Sequence, residues 1–141
     1  DTTPTADTSA TNNDGRYKVG DLDTDSCLRQ RVVYFDLDRT EIKPEFSAQI
    51  SCHAEYLRQF PNARVTLEGH ADERGTREYN LGLGERRGNA VQSAISSAGA
   101  SGGQLNVVSY GEERPVDRGH DESAWSKNRR VEIVVKAGKT K

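Results

Sequence analysis

The segment from residue 69 to residue 75 carries the densest run of polar side chains in the chain. Its sequence is Gly-His-Ala-Asp-Glu-Arg-Gly, so two glycines enclose five residues, four of them polar. Binding groups are commonly placed on a loop between a strand and a helix. The pattern is compatible with a solvated turn, and equally with a loop that carries binding groups.

Arg87 is a charged residue at a position where an apolar one is expected. At about 100° per residue it lies at the centre of the helical stripe drawn by Leu83, Ala90 and Ala94. An unpaired charge on a core-facing stripe is very costly, so Arg87 needs an anionic partner. That partner is either a protein carboxylate, with Asp72 as the candidate, or the carboxylate of a ligand in a pocket with Arg87 at its floor.

Patterns for other chemistry are weak. The segment from Gly99 to Gly103 matches GxSxG, but a predicted helix precedes it and a predicted strand follows it, which is the reverse of a hydrolase elbow. The histidines form no HxxxH or HExxH pair, and two thiols alone cannot complete a zinc site. We therefore expect no enzyme activity, no cofactor and no metal.

Strands and helices must alternate to position these groups. β-Branched and aromatic residues predict the first strand, and period-two alternation supports the others. The predicted strands are 31–35, 64–68, 105–109 and 130–136. Because helices separate them, the expected class is α/β, an α+β sandwich with helices packed on one face of a four-stranded sheet.

Two long helices are predicted between these strands. Pro44 suits the first turn of one helix and Pro61 stops it; Thr76 caps the other and Gly99 ends it. A short helix is expected near Glu122. The apolar stripes are Phe46, Ile50, His53, Leu57 and Phe60 in the first helix, and Tyr79, Leu83, Ala90, Ala94 and Ala98 in the second.

Length and composition indicate one domain with a tail. The 141 residues carry a net charge of -2, which argues against a general nucleic-acid binder. Positions 1–15 have no large apolar side chain, so 1–16 is predicted to be a flexible tether, 17–137 the domain and 138–141 a tail. Cys27 and Cys52 fit one disulfide in an oxidising compartment or two buried thiols in the cytosol equally well.

Seven blocks of sequence stand in a fixed order between Val32 and Val135. They are Val33-Tyr-Phe-Asp-Leu-Asp38, Gly69-His-Ala-Asp-Glu-Arg-Gly-Thr76, Tyr79-Asn80, Leu83-Gly-Glu-Arg-Arg87, Val108-Ser-Tyr-Gly111, Gly119-His-Asp-Glu122 and Ser126-Lys-Asn-Arg-Arg130. Together they resemble the OmpA C-terminal-like family, and within it the branch of peptidoglycan-associated lipoproteins. Gly88 stands where that branch usually has Ala, which should cost some helix stability.

The resemblance implies a cellular setting as well as a fold. It implies an OmpA-like β-α-β-α-β-β domain with a mixed sheet, at the periplasmic face of the outer membrane of a Gram-negative bacterium. A lipidated cysteine just upstream of Asp1 would be the membrane anchor. The implied partners are peptidoglycan and the propeller protein of the Tol-Pal system, and a disulfide between Cys27 and Cys52 becomes the expected state.

The implied ligand is the peptidoglycan stem peptide with its meso-diaminopimelate, whose free end carries an ammonium and a carboxylate on one carbon. Asp72 or Asp36 is expected to bind the ammonium. Arg87 is expected to bind the carboxylate through two parallel hydrogen bonds. Arg74 is expected to make a second contact to an acidic group. Further residues expected to line the site are Phe35, Leu37, Ala71, Thr76, Asn80 and Leu83.

Three functions follow from these patterns. The leading hypothesis is a non-catalytic module that binds peptidoglycan. The second is an envelope protein-interaction module in which Asp72 and Arg87 only pair with each other. The third, a cell-wall hydrolase, would need a nucleophile or a metal that the sequence does not supply.

Overall fold

A mixed four-stranded sheet forms the centre of the fold in a computed structural model that describes residues 16–136. The strands are β1 (Val32–Tyr34), β2 (Arg64–His70), β3 (Leu105–Gly111) and β4 (Arg130–Lys136), in spatial order β1-β4-β2-β3. β2 and β3 run parallel, while β4 is antiparallel to β1 and β2. The predicted fold class is confirmed. The predicted tail and all of the predicted tether except Arg16 lie outside the described residues.

The two predicted long helices are present. They are α2 (Ser47–Gln59), preceded by a 3-10 turn over Pro44–Phe46, and α3 (Arg77–Ser97). The short helix predicted near Glu122 is α4 (Glu122–Asn128), and α1 (Asp21–Thr24) is an additional turn of helix. Buried side chains of α2, α3 and the sheet form one core. None of the described helices is both long enough and apolar enough to cross a membrane.

The buried face of α3 differs from the predicted stripe. Leu83 and Arg87 are buried as predicted, but Tyr79 is 44% exposed. The buried positions are Asn80, Leu83, Gly84, Arg87, Gly88, Val91 and Ile95. Counting apolar residues placed the stripe wrongly because two residues of the buried face are glycines. Glycines add nothing to such a count, but they allow the helix to approach the sheet.

Gly69 on β2 and Gly84 on α3 are in direct backbone contact. A Cβ on Gly69 would lie 1.8 Å from the carbonyl oxygen of Gly84, and a Cβ on Gly84 would lie 2.4 Å from Ser109 Oγ. A side chain at either position would push helix and strand apart. This contact fixes the start of the 71–76 loop relative to Arg87 on α3.

Gly88 serves the same close packing. A Cβ there would lie 2.6 Å from Cγ1 of Val107 on β3. A glycine at position 88 lowers the helix propensity of α3, as expected from the sequence. It is nevertheless needed there, because a side chain would not fit against β3.

β2 and β3 each extend two residues beyond their predicted ends. Gly69 pairs with Ser109 and Val131, and His70 pairs with Gly111. These pairings join segments distant in sequence, so residue types alone did not reveal them. The polar loop consequently begins at Ala71, directly at the end of a paired strand.

A disulfide joins Cys27 and Cys52, whose Cα atoms are 6.4 Å apart. It ties the segment that precedes β1 to helix α2. The disulfide expected from the family resemblance is confirmed.

Candidate functional site

Four segments of the chain meet around Asp72. They are the loop that follows β1, the 71–76 loop that follows β2, the first turns of α3, and the junction of α4 with β4. Hydrogen bonds between side chains and backbone carbonyls connect these segments to one another. The candidate site is therefore built at one edge of the sheet, where strand ends and helix ends come together.

Asp72 is a buried carboxylate, only 4% exposed. Its Oδ1 accepts from the backbone N and the Nε of Arg74 at 3.0 and 3.2 Å, and its Oδ2 accepts from Arg74 Nη2 at 2.8 Å. Arg129 Nη1 adds a longer bond to Oδ2 at 3.4 Å. Burial would raise the pKa of Asp72, but these hydrogen bonds outweigh it and lower the pKa, so the group is ionised at neutral pH.

Arg129 connects three of the four segments. Its Nε donates to the carbonyl of Phe35 at 2.9 Å, its Nη1 reaches Asp72, and its Nη2 donates to Glu122 Oε2 at 2.8 Å. Its side chain is 7% exposed. Burial would lower the pKa of Arg129, but its bonds to Glu122 and Asp72 raise the pKa above the ordinary value.

Arg87 is completely buried, with 0% exposure. Its Nε donates to the carbonyl of Arg39 at 2.9 Å, Nη1 to that of His70 at 2.9 Å and Nη2 to that of Asp36 at 3.0 Å. The alternative in which Arg87 pairs with a protein carboxylate is wrong, because all three partners are backbone carbonyls. Burial, with Arg129 nearby, lowers the pKa of Arg87 to about 10.

The start of α3 closes the loop. Thr76 caps the helix, with its hydroxyl oxygen accepting from Tyr79 N at 3.0 Å. Asn80 is buried, and its Nδ2 donates to the carbonyl of Arg74 at 3.0 Å and to Glu112 Oε1 at 2.5 Å. These two residues hold the loop in the shape that presents Asp72.

The loop after β1 forms an exposed rim. Leu37 is 48% exposed, and the exposed carboxylate of Asp36 binds Lys43 Nζ at 2.8 Å, which lowers the pKa of Asp36. Asp38 has a positive φ of 55° and accepts from the hydroxyl of Tyr79 at 3.1 Å. This rim rests on α3 through that bond and through the two carbonyls that Arg87 holds.

α4 supplies aromatic and acidic groups to the same edge. The guanidinium of Arg74 lies 4.0 Å from the ring centroid of Trp125, and Trp125 Nε1 donates to Glu73 at 2.8 Å. His120 Nδ1 also binds Glu73 at 2.8 Å, and this contact raises the pKa of His120. The loop residues therefore face charged and aromatic partners on their outer side.

Two depressions flank the buried charges. One of about 400 Å³ is lined by Ala71, Glu73, Glu112, Pro115, Asp117, Arg118, Gly119, His120 and Asn128. The other, of about 270 Å³, is lined by Tyr34, Phe35, Asp36, Lys43, Ser126, Lys127 and Arg129. Predicted site residues line both.

The structure brings the predicted site residues into one region, and it adds Arg129. The sequence analysis assigned Arg129 no role, although a signal was available. On β4, Val131 and Ile133 are on the core side, so period-two alternation places Arg129 on that side as well. Arg129 is thus a second buried arginine, with the same signature as Arg87.

The family model for the OmpA family matches residues 34–129, about two thirds of the chain. This chain belongs to the OmpA family. All the predicted ligand-binding residues, and Arg129, fall within the OmpA match. As a member of this family, the chain is not an enzyme, as predicted.

OmpA-family relatives resemble the chain over most of its length. It is 50% identical over 115 residues to the peptidoglycan-associated lipoprotein of Pseudomonas aeruginosa, covering 81% of this chain and 68% of that protein. It is 46% identical over 120 residues to that of Haemophilus influenzae, covering 85% and 76%. The resemblance to this branch of the OmpA family is thus confirmed.

Solved structures agree with the OmpA fold. The crystal structure of the peptidoglycan-associated lipoprotein from Burkholderia pseudomallei matches with a TM-score of 0.80 at 42% identity, covering 82% of this chain and 98% of that one. The C-terminal domain of Helicobacter pylori MotB matches with a TM-score of 0.68 at 21% identity, covering 75% and 84%. The second likeness concerns the fold alone.

Proposed function

We propose that this domain binds peptidoglycan non-covalently through the stem peptide, and thereby links the outer membrane to the cell wall. The similar proteins from Pseudomonas and Haemophilus are peptidoglycan-associated lipoproteins by name. The observation that carries the proposal is the meeting of a buried carboxylate, Asp72, with two buried guanidiniums, those of Arg87 and Arg129, at one edge of the sheet. Such fixed charges of both signs suit a zwitterionic ligand.

The ammonium of meso-diaminopimelate binds Asp72 in this proposal. Asp72 is ionised and shielded from solvent, so its attraction for an ammonium is stronger than it would be at a water-exposed position. Asp36, exposed on the rim, is the alternative acceptor. Arg74 can turn from Asp72 toward the ligand because its side chain is 34% exposed.

The carboxylate on the same carbon binds Arg87. In the structure Arg87 donates to the carbonyls of Asp36 and Arg39, so the ligand must displace this rim loop to reach it. The exchange replaces two guanidinium–carbonyl bonds with a bidentate guanidinium–carboxylate pair, which adds an opposite charge and a fixed geometry to the contact. Binding therefore includes a local opening of the rim that carries Leu37 and Asp38.

The remaining predicted residues shape the site around these charges. Thr76 and Asn80 hold the loop by the bonds described above. Phe35 and Leu83 are buried beneath the site, Ala71 borders the larger depression and Leu37 offers exposed apolar surface. These residues orient the ligand, and the charged residues supply most of its recognition.

The proposal includes an envelope setting. A lipid anchor upstream of the first residue would hold the domain at the periplasmic face of the outer membrane. The propeller protein of the Tol-Pal system would compete with peptidoglycan for the domain.

Calorimetry with two synthetic stem peptides tests the ligand. One peptide carries meso-diaminopimelate, and in the other lysine replaces it, which removes the second carboxylate. We expect the first to bind and the second to bind poorly, and muropeptide analysis after long incubation should show the ligand unchanged. Equal binding of the two peptides would instead favour a protein-interaction module, and new cleavage products would contradict a non-catalytic role.

The protein-interaction alternative has lost one of its premises. It required Asp72 and Arg87 to pair with each other. Among the described residues, Arg74 and Arg129 donate hydrogen bonds to the Asp72 carboxylate. Arg87 donates its hydrogen bonds to backbone carbonyls. The buried charges of the described site are therefore not one self-contained pair.

A further inference from the structure

We propose that Glu68, His70 and Glu132 form a binding site for a divalent transition-metal ion, with zinc the best match to its donors. The site lies on the face of the sheet that points away from α2 and α3. On β2, Val65 and Leu67 point into the core, so Glu68 projects from the opposite face. The site is distinct from the one built around Asp72.

The three donor residues lie close together on two paired strands. Glu68 and Glu132 are directly opposite each other in the antiparallel pairing of β2 with β4, and His70 follows two residues after Glu68. One ligand atom from each residue lies within 4.8 Å of the other two. Ligand atoms at the usual zinc distances of about 2.0–2.2 Å are roughly 3.4 Å apart in a tetrahedron. Small rotations of the two partly exposed carboxylates would close that difference.

The imidazole of His70 is a buried polar group, and this observation is independent of the carboxylates. His70 is 2% exposed, and neither of its ring nitrogens has a hydrogen-bond partner among the described residues. A buried polar group without a partner is costly, and buried groups of this kind call for a specific explanation. A metal ion held with the two carboxylates would satisfy one ring nitrogen.

Glu68 and Glu132 are like charges on neighbouring strands. Like charges that face each other across paired strands are destabilising. Arg130 Nε binds Glu132 Oε2 at 2.6 Å, which compensates one of the two carboxylates and leaves the other oxygen of Glu132 available. With a neutral imidazole, the two glutamates balance Arg130 and Arg114, which also lies near His70, so the site carries no net positive charge before the ion binds.

The imidazole is already in the form that binds metal. Burial, with Arg130 and Arg114 nearby, lowers the pKa of His70 to about 4. The ring is therefore neutral at pH 7, and it is held in place by stacking on Tyr110, with ring centroids 5.6 Å apart. A metal ion can therefore bind the ring without displacing a proton from it.

The sequence analysis expected no metal because it searched for histidine pairs and cysteine clusters. Here the donors come from two strands that are distant in sequence, and only the sheet brings them together. The backbone carbonyl of His70 accepts from Arg87 Nη1. An ion on the ring of His70 would therefore stiffen the strand end to which the peptidoglycan site is attached.

Zinc titration of protein freed of metal with a chelator tests the proposal. We expect one ion per chain by calorimetry, and a cobalt complex with a visible absorption band of low-coordinate geometry. Each of Glu68→Gln, His70→Gln and Glu132→Gln should weaken binding at least about tenfold, since even loss of an outer-shell partner costs that much. The matched control is His120→Gln, which removes the exposed pair of His120 with Glu73 and should leave the affinity unchanged.

Two results would overturn the site: no one-to-one binding by the wild-type protein, or wild-type affinity in the three cluster variants. If His70→Gln fails to fold by circular dichroism, the two glutamate variants decide the question. Both glutamates are partly exposed, so their substitution leaves the core intact.

Discussion

At the scale of single residues, the two arginines that hold Asp72 differ in their surroundings. The side chain of Arg74 is 34% exposed, whereas that of Arg129 is 7% exposed and also holds the carbonyl of Phe35. An exposed ion pair contributes little, but breaking a buried one leaves an uncompensated charge. Arg129 should therefore matter more to folding, and Arg74 more to ligand access.

The substitution Arg129→Gln tests that difference. We expect it to lower the free energy of unfolding by about 3 kcal/mol, because Asp72 and the carbonyl of Phe35 lose a buried donor. The control Arg86→Gln removes an exposed arginine of α3 and should change stability by less than about 0.5 kcal/mol. Urea unfolding gives both values, and a loss below about 1 kcal/mol for Arg129→Gln would contradict the assigned role.

His70 gives a second prediction, on pH dependence. Its pKa is about 4 in the folded chain, mainly through burial, against an ordinary value of 6.5. Between these values the unfolded chain binds more protons, so the free energy of unfolding should fall as the pH falls from 6.5 to 4. The contribution is about 2 kcal/mol after allowance for solvent screening.

His70→Phe should flatten that slope in chelator-treated protein, measured by urea unfolding at several pH values. The slope should not vanish, because burial also lowers the pKa of His53. The control is His120. Glu73 raises the pKa of His120, so its contribution to the free energy of unfolding is lost as the pH rises, which is the direction opposite to that of His70. An unchanged slope in His70→Phe would show that the folded protein does not keep this imidazole neutral.

Residue patterns found one of the two buried arginines of the candidate site and missed the other. Arg87 interrupts a helical stripe of Leu83, Ala90 and Ala94, and that signal is local. Arg129 occupies the short junction between α4 and β4, and its only local signal is the alternation with Val131 and Ile133 in the strand that follows. Its contacts with Phe35 and Asp72 span 94 and 57 residues of sequence, and no spacing rule reports such distances.

At the scale of elements, the contact between β2 and α3 positions the site. Gly69 lies near the end of β2 that leads to Asp72. Gly84 lies one turn before Arg87 on α3. Their backbones touch, which allows Arg87 to reach the carbonyls of His70 and Asp36. The distance between these two elements therefore sets the geometry of the buried charges.

Gly69→Ala should destabilise the protein by at least about 3 kcal/mol. The new Cβ would meet the carbonyl oxygen of Gly84, and overpacking against rigid backbone exceeds the usual 1–3 kcal/mol for extra methylenes. Gly102→Ala is the matched control, because a Cβ there meets nothing within 4 Å. Thermal and urea unfolding of both variants measure the difference, and similar stabilities would argue against the close contact.

Element boundaries were predicted where the signals are local. The proline before α2, the Thr76 cap and the glycine after α3 each mark a helix end that the structure contains. The ends of β2 and β3 were placed two residues short, because their last pairs depend on the neighbouring strands. Tyr79, which is exposed, was wrongly placed in the buried stripe of α3. The cause lies in the tertiary packing, because glycines rather than large side chains face the sheet there.

At the scale of the whole molecule, the disulfide fastens the segment before β1 onto the domain. The segment 16–31 contributes Leu22 and Leu28 to the core and contains no strand; it meets the sheet at its end, where the carbonyl of Arg31 accepts from Ile133 N at 2.7 Å. The disulfide closes a separation of 25 residues, which contributes about 3 kcal/mol by restricting the unfolded chain.

Reduction should therefore lower the free energy of unfolding by about 3 kcal/mol, measured by urea unfolding with and without a thiol reductant. A protein carrying both Cys27→Ser and Cys52→Ser should show the same loss and no response to the reductant. Denatured, unreduced wild-type protein should contain no free thiol. Two titratable thiols would contradict the bridge.

The class of fold followed from the alternation of strand and helix patterns, whereas the sheet order did not. The order β1-β4-β2-β3 inserts the last strand between the first two, and no local pattern specifies that. This insertion brings Arg129, at the start of the last strand, beside Phe35 and Asp72. The candidate site is thus a property of the whole topology, even though most of its residues were found one by one.

The most direct measurement of the central claim is calorimetry of the diaminopimelate stem peptide with wild type and Asp72→Asn. The substitution keeps the size of the side chain and removes the charge proposed to bind the ammonium. Loss of one partner in a desolvated charge pair costs about 2–5 kcal/mol, so the dissociation constant should rise at least about 30-fold. Glu78→Gln, which removes an exposed carboxylate of α3, is the control and should bind as wild type does. If a variant shown by circular dichroism to be folded, Asp72→Asn, binds the peptide as tightly as wild type, the assignment of this site is contradicted.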